Sequence, residues 1–214
     1  PWIKPAQRLF KDEDLPAGEA KRQLYELSRK LLLDAGYLEI GMDHFAKPTD
    51  SLGRAQANKT LHRNFMGYTE LRTDLLLGLG VSSISETPYS FHQNEKSLEP
   101  HKQDQQSFQG YRKRIESGEI PTLRGHVHSS EDLVKREQIL NLMTQLAAKW
   151  ENSAEFESAK IFLREMESDG LVKVEADGLK VTEEGKAFLR NACVFFDRRL
   201  RHHQPQTRIF SQSI

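Results

Sequence analysis

The segment LVKVEADGLKV, residues 171–181, restricts the fold more than any other stretch of the chain. Val172 and Val174, then Leu179 and Val181, alternate with charged residues on either side of Asp177-Gly178, the pattern of two short strands joined by a tight turn. Helical patterns bracket this hairpin. Ser129 and Asp132 fit a capping box, and Leu133, Leu140, Met143, Ala147 and Trp150 trace one apolar stripe to about residue 150. Phe156, Ala159, Leu163 and Met166 mark another helix, which Gly170 ends. Thr182 caps a final helix with Phe188, Ala192, Phe195 and Leu200 on its inner side. Its first turn carries Glu183 and Glu184 and its last carries Arg198, Arg199 and Arg201, which matches the helix dipole.

Helix, helix, hairpin, helix is the order of a winged-helix module, so residues 129–214 read as a mainly helical, winged-helix-like domain in an α+β chain. Such a module raises the alternative of a non-catalytic binding protein for DNA or another protein. Two features oppose a nucleic-acid partner: the segment SAEFESAKIFLREMESDG is acidic, and 31 basic residues are balanced by 31 acidic ones. No apolar run approaches the roughly 20 residues of a membrane span, and PWIKPAQRLF lacks the charged-then-apolar order of a signal peptide. The expectation is a cytoplasmic monomer with no membrane contact. A single cysteine, Cys193, excludes an internal disulfide and cannot by itself hold an iron–sulfur cluster.

Toward the N-terminus, Pro16, the leucines 24, 27 and 31, and Gly36 define a helix over about 18–34. Leu38, Ile40 and Met42 then recur at period two, which predicts a strand following a helix in an α/β unit. That reading puts Asp43 and His44 at the carboxyl end of the strand, where a ligand meets the chain. A capping Asp and a structural His are the alternative. Asp50 and Ser51 open a short helix running through Ala55 toward Lys59. HRNF, residues 62–65, reads as an irregular loop, and LLLGLGVSSIS, residues 75–85, as a buried strand or a backbone lining a cavity. Its G-x-G lacks the third glycine of a dinucleotide fingerprint. Between about 86 and 118 the chain turns polar, which marks a domain boundary. His92 and His101 have no recognisable ligand spacing; His126 and His128 would chelate only on an extended stretch, and all four are read as non-ligands. A start at Pro1-Trp2 without Met is expected of a truncated sequence.

The run GYLEIGMDHFAKPTDSL, LHRNFMGYTE, LLLGLGVSSIS, FHQNEKSL, PTLRG and LVKREQILNLM, followed by DGLVKVEADGLKVTEEGKAFLRNACVFFD, resembles the oxygen-independent coproporphyrinogen III oxidases over essentially the whole chain. These are coproporphyrinogen dehydrogenases of the radical S-adenosylmethionine superfamily. The haem-chaperone paralogues differ, reading YEISNFARP where this chain reads IGMDHFAKP and lacking the RNF…GYT segment.

The resemblance implies oxidative decarboxylation of two propionates of coproporphyrinogen III to vinyl groups, giving protoporphyrinogen IX in haem synthesis. It also implies S-adenosylmethionine, a [4Fe–4S] cluster held by a C-x₃-C-x₂-C motif on an N-terminal partial β/α barrel, and an electron donor. That motif is absent here, so the chain is expected to be the C-terminal half: a barrel remnant with active-site loops over 1–97, a connecting region over 98–128, and the helical domain over 129–214. By itself it is expected to be inactive and to bind neither cofactor nor metal. By the resemblance, Phe65, Met66 and Ile84 match positions near a second S-adenosylmethionine site. Met66 stands where most members carry Gln, a thioether in place of an amide. The stretch between Leu98 and Tyr111 is several residues longer than usual. By chemistry, Arg63 and Arg124 are the candidates to bind propionates, because a guanidinium fork fits a planar carboxylate. Asp43 and His44 complete the candidate substrate contacts.

Overall fold

Gly18–Asp34 forms helix α1 as the leucine spacing predicts, yet it buries none of its residues: Leu24, Leu27 and Leu31 are 52%, 54% and 60% exposed. The computed structural model describes residues 12–96 and 110–202, so the expectations for His101 and for most of the lengthened link lie outside the described residues. The chain divides into two units, Pro1–Leu61 with Asn141–Ile214, and His62–Leu140.

After α1, β1 (Leu38–Gly41) pairs antiparallel with β2 (His44–Ala46), with Leu38 opposite Ala46. This corrects the α/β reading. Met42 adopts a positive φ of 54° in the connecting turn, so the chain reverses at once instead of running on into a crossover. Asp43 therefore lies in a hairpin turn and His44 at the start of a returning strand, not at the carboxyl end of a parallel one. Helix α2 (Ser51–Ala57) begins as expected, Asp50 accepting a hydrogen bond from the Leu52 N–H at 3.0 Å. Gln56 on α2 donates to the Glu39 carbonyl at 2.9 Å and ties the helix to β1.

The second unit opens with β3 (His62–Asn64) and β4 (Gly67–Thr69), an antiparallel hairpin where the sequence read as a loop. Three residues per strand are too few to show a period. The following leucines are not a buried strand: Leu75, Leu77 and Leu79 are 56%, 66% and 90% exposed, and among the described residues this stretch pairs through an isolated bridge from Leu76 to Glu86. Its last residues do form a strand, β5 (Ile84–Glu86), which pairs with β6 (Ser90–Asn94). A short helix α3 (Tyr111–Glu116) leads into β7 (Thr122–Val127), which completes a three-stranded sheet in the order β5-β6-β7. Asn94 holds the loop before β5, donating to the carbonyls of Gly78 and Gly80 and to Ser83 at 3.0–3.2 Å.

The capping box forms as read: Asp132 N–H donates to Ser129 Oγ at 3.1 Å and Ser129 N–H to Asp132 Oδ2 at 2.9 Å, opening α4 (Ser130–Gln145). The helix stops five residues before Trp150. Leu146 takes a φ of 57°, and Ala147–Lys149 becomes strand β8. Helices α5 (Ser153–Phe162) and α6 (Arg164–Ser168) divide the expected single helix, which ends at Gly170 with φ 73°. Strands β9 (Val172–Glu175) and β10 (Gly178–Val181) form the hairpin, and β10 lies between β8 and β9. Thr182 Oγ1 accepts from the Gly185 N–H at 3.0 Å, but the final helix is broken into a 3-10 turn (Glu184–Phe188), α7 (Leu189–Val194) and α8 (Arg198–His202). Leu142, Leu163, Val172, Leu179, Leu189 and Phe196 are fully buried, and Trp150 stacks on Phe196 at 6.0 Å. Each such side chain contributes about 1.5–3 kcal/mol by leaving water.

Candidate functional site

The β3–β4 hairpin sets Arg63 opposite Tyr68 and leaves Phe65 and Met66 at its tip. Asn64 turns the chain there, its Oδ1 accepting from the Met66 N–H at 2.9 Å. The tip side chains are exposed, Phe65 at 48% and Met66 at 67%, whereas Tyr68 is buried. The Arg63 guanidinium lies 4.6 Å from the centroid of the Tyr68 ring, and its Nη1 is buried with no hydrogen-bond partner among the described residues. A cation stacked on an aromatic with one unsatisfied nitrogen is a donor waiting for an acceptor.

The three-stranded sheet brings Ile84 and Arg124 into one row. Ile84 faces Gln93 and Gln93 faces Arg124, so all three share a face, and Arg124 Nε donates to Gln93 Oε1 at 3.1 Å. Sequence reasoning missed Gln93, because its place depends on strand register. The available signal was the polar run FHQN. The next row on the same face is Glu86, Phe91 and His126. Arg136 on α4 pairs with Glu86. Asp43 and His44 belong to the other unit, where His44 Nδ1 and Asp43 Oδ1 lie 2.9 Å apart and the Asp43 side chain is 81% exposed. That unit also holds a charged cleft of about 380 Å³. In it Arg29 bridges Glu39 and Glu183 at 2.9 Å each, and Tyr25 donates to Glu39 at 3.1 Å. Burial, and then the Glu39 carboxylate, push the Tyr25 phenol up to about 12.

His62 and His128 both sit below the ordinary imidazole value of 6.5. Burial is the first cause in each; Arg72 and Arg136 add repulsion at His62, partly offset by Glu86, and Arg136 and His126 do so at His128, partly offset by Asp132 and Glu86. Both are therefore held neutral in the fold while the unfolded chain takes up protons below about 6.5. Their contribution to stability is complete above that pH and declines as pH falls toward the lowered native values. An NMR titration of the imidazoles should place both midpoints under 6.5. In urea unfolding at pH 7.5 and 5.5, His62→Asn with His128→Asn should lose less stability between the two than the parent; an equal loss would contradict this origin.

No family model matches the chain. Among curated proteins, the oxygen-independent coproporphyrinogen III oxidase of Synechocystis sp. is 34% identical over 227 residues, covering all of this chain and 46% of the relative. That of Thermostichus vulcanus is 37% identical over 223 residues, covering 65% of the relative, and that of Escherichia coli 36% identical over 210 residues, covering 44% of the relative. The solved structure of the Escherichia coli enzyme, described as a radical SAM enzyme, superposes with a TM-score of 0.77 at 35% identity over 91% of this chain and 45% of that one. Sequence and fold thus place the chain among relatives of the radical SAM enzymes. Within that class it belongs with the oxygen-independent coproporphyrinogen III oxidases, whose C-terminal part it matches. It spans less than half the length of most of the relatives named here. No helix among the described residues is long and apolar enough to cross a membrane.

Proposed function

We propose that this chain is the C-terminal part of an enzyme that oxidatively decarboxylates two propionates of coproporphyrinogen III to vinyl groups, giving protoporphyrinogen IX in anaerobic haem synthesis. The observation that carries this reading is the match to such enzymes in both sequence and fold along nearly the entire chain. In this assignment the leading residues are the edge of the radical SAM barrel. The order α4, β8, α5, α6, β9, β10 with β10 central is a winged-helix-like cap. The N-terminal half is the partner that brings the cluster-binding cysteines, the S-adenosylmethionine site and the contact with an electron donor. The uncovered leucines of α1, and separately Leu75, Leu77 and Leu79, suit burial against such a half.

Within this chain the residues divide by chemistry. Arg63 and Arg124 hold propionates. Phe65, Met66 and Ile84 supply apolar wall near a second S-adenosylmethionine, and Asp43 and His44 offer polar contacts to substrate. A [4Fe–4S] cluster does not fit the residues present, since Cys193 is buried and a cluster takes three or four thiolates.

The test is direct. The gene should encode a C-x₃-C-x₂-C motif upstream of Pro1, and the 214-residue chain, purified anaerobically and reconstituted, should retain no stoichiometric iron or sulfide. A gene without that motif, or about four irons and four sulfides per isolated chain, would overturn the assignment.

A further inference from the structure

We propose that His126, His128 and Asp132 form a binding site for a divalent transition-metal ion of the zinc class, which fastens β7 to the first turn of α4. The spacing H-V-H chelates only on an extended backbone, and β7 supplies one. His126 lies within the strand and His128 continues its line, with the His128 N–H donating to the Tyr89 carbonyl at 2.7 Å. Side chains two apart on such a backbone share a face, and the two imidazoles meet there with centroids 5.3 Å apart. The capping turn then folds Asp132 back toward them, with Oδ2 3.0 Å from His126 Nε2. One candidate ligand atom from each of the three residues lies within 4.8 Å of the other two. A tetrahedral zinc about 2.0–2.1 Å from its ligands holds them roughly 3.3 Å apart, so modest side-chain rotation closes the set.

The surroundings fit this role. Ser129 donates to Asp132 Oδ2 through its N–H at 2.9 Å and its hydroxyl at 3.0 Å, which fixes the carboxylate. Phe91 lies 6.2 Å from each imidazole, its ring tilted against both. Arg136 is the nearby cation that would oppose a metal, but its charge is matched by Glu86 and it also reaches the Thr87 and Pro88 carbonyls at 3.4 Å. The helix dipole also disfavours a cation here, by about 0.3–1 kcal/mol, which is small beside the binding energy of two imidazoles and a carboxylate. Three protein ligands leave the fourth position for water.

Calorimetry with zinc chloride and the metal-free 214-residue chain at pH 7.5 tests the site. The expected result is one zinc per chain, weakened at least about tenfold by His126→Gln and by His128→Gln. Asp132→Asn separates ligation from capping: at the third helical position the Asn side-chain oxygen can still accept from the Ser129 N–H, so the metal-free melting temperature should fall little while the zinc-induced rise shrinks. Melting curves of the metal-free variants establish which are folded, and either histidine variant suffices. The proposal is overturned if the parent chain takes up no stoichiometric zinc at about 100 µM, or if a folded histidine variant binds as the parent does.

Discussion

Gly185→Ala should destabilise the unit that contains it by about 3 kcal/mol. Gly185 sits in the 3-10 turn after β10, where a Cβ would overlap the Leu171 carbonyl oxygen and come within 2.8 Å of its carbon and 3.0 Å of Val181 Cγ1. That carbonyl cannot retreat cheaply. It already accepts from the Thr182 N–H at 3.0 Å and from Thr182 Oγ1 at 3.1 Å, and Thr182 Oγ1 in turn receives the Gly185 N–H. Relief would require giving up the cap or shifting the start of β9. For a chain of this size the loss corresponds to a fall in Tm of roughly 6–12 °C. Gly118→Ala is the comparison, because Gly118 has φ 76° and open space around it, so alanine there meets strain without collision. It should cost about 1 kcal/mol. Equal effects of the two substitutions would show that contact with Leu171 is not the cause.

The segment around Gly185 also shows what local sequence can reveal. The β9–β10 hairpin was legible because alternation and turn residues agree, but the turn is one residue earlier than Asp177-Gly178 implies. Gly178 pairs with Glu175 inside the ladder. It is needed for close approach, since a Cβ there would strike the Ala148 backbone on β8. That demand comes from a strand some thirty residues away and leaves no local trace. The same strand explains the overrun of α4: residues 147–149 continue the apolar stripe of a helix, yet pair with Gly178, Leu179 and Lys180. Sheet pairing outweighs the helical preference once Leu146 turns the chain. In the candidate site, Arg63 was singled out by its guanidinium, and Phe65 and Met66 by the resemblance. The hairpin that presents them was not legible, because its strands are too short. Gln93 was invisible until register placed it between Ile84 and Arg124, and His126 and His128 read as non-ligands because sequence did not show the extended backbone of β7, which holds His126.

Arg63→Ala, in the complete enzyme to which this chain is assigned, should lower kcat/KM for coproporphyrinogen III by about 10- to 100-fold. The guanidinium is held over Tyr68, and among the described residues its Nη1 has no hydrogen-bond partner, so a propionate would complete its hydrogen bonding. A charge-assisted hydrogen bond of this kind is worth about 1.5–3 kcal/mol. Arg63→Lys should recover only part of the loss, because an ammonium keeps the charge without the two-donor fork. Cleavage of S-adenosylmethionine in the absence of substrate should persist in both variants, since Arg63 is assigned to the propionate and not to the radical chemistry. A structural tie would behave differently: both substitutions would lower Tm, and turnover per folded molecule would remain at the parent value. The deciding measurement is therefore the anaerobic rate of protoporphyrinogen IX formation per folded molecule for the parent, Arg63→Ala and Arg63→Lys enzymes, with Tm taken on the same samples. The account predicts conversion by the parent, a 10- to 100-fold loss in kcat/KM for Arg63→Ala and partial recovery with Lys; a parent enzyme that leaves coproporphyrinogen III unconverted, or an Arg63→Ala enzyme with undiminished turnover per folded molecule, would contradict it.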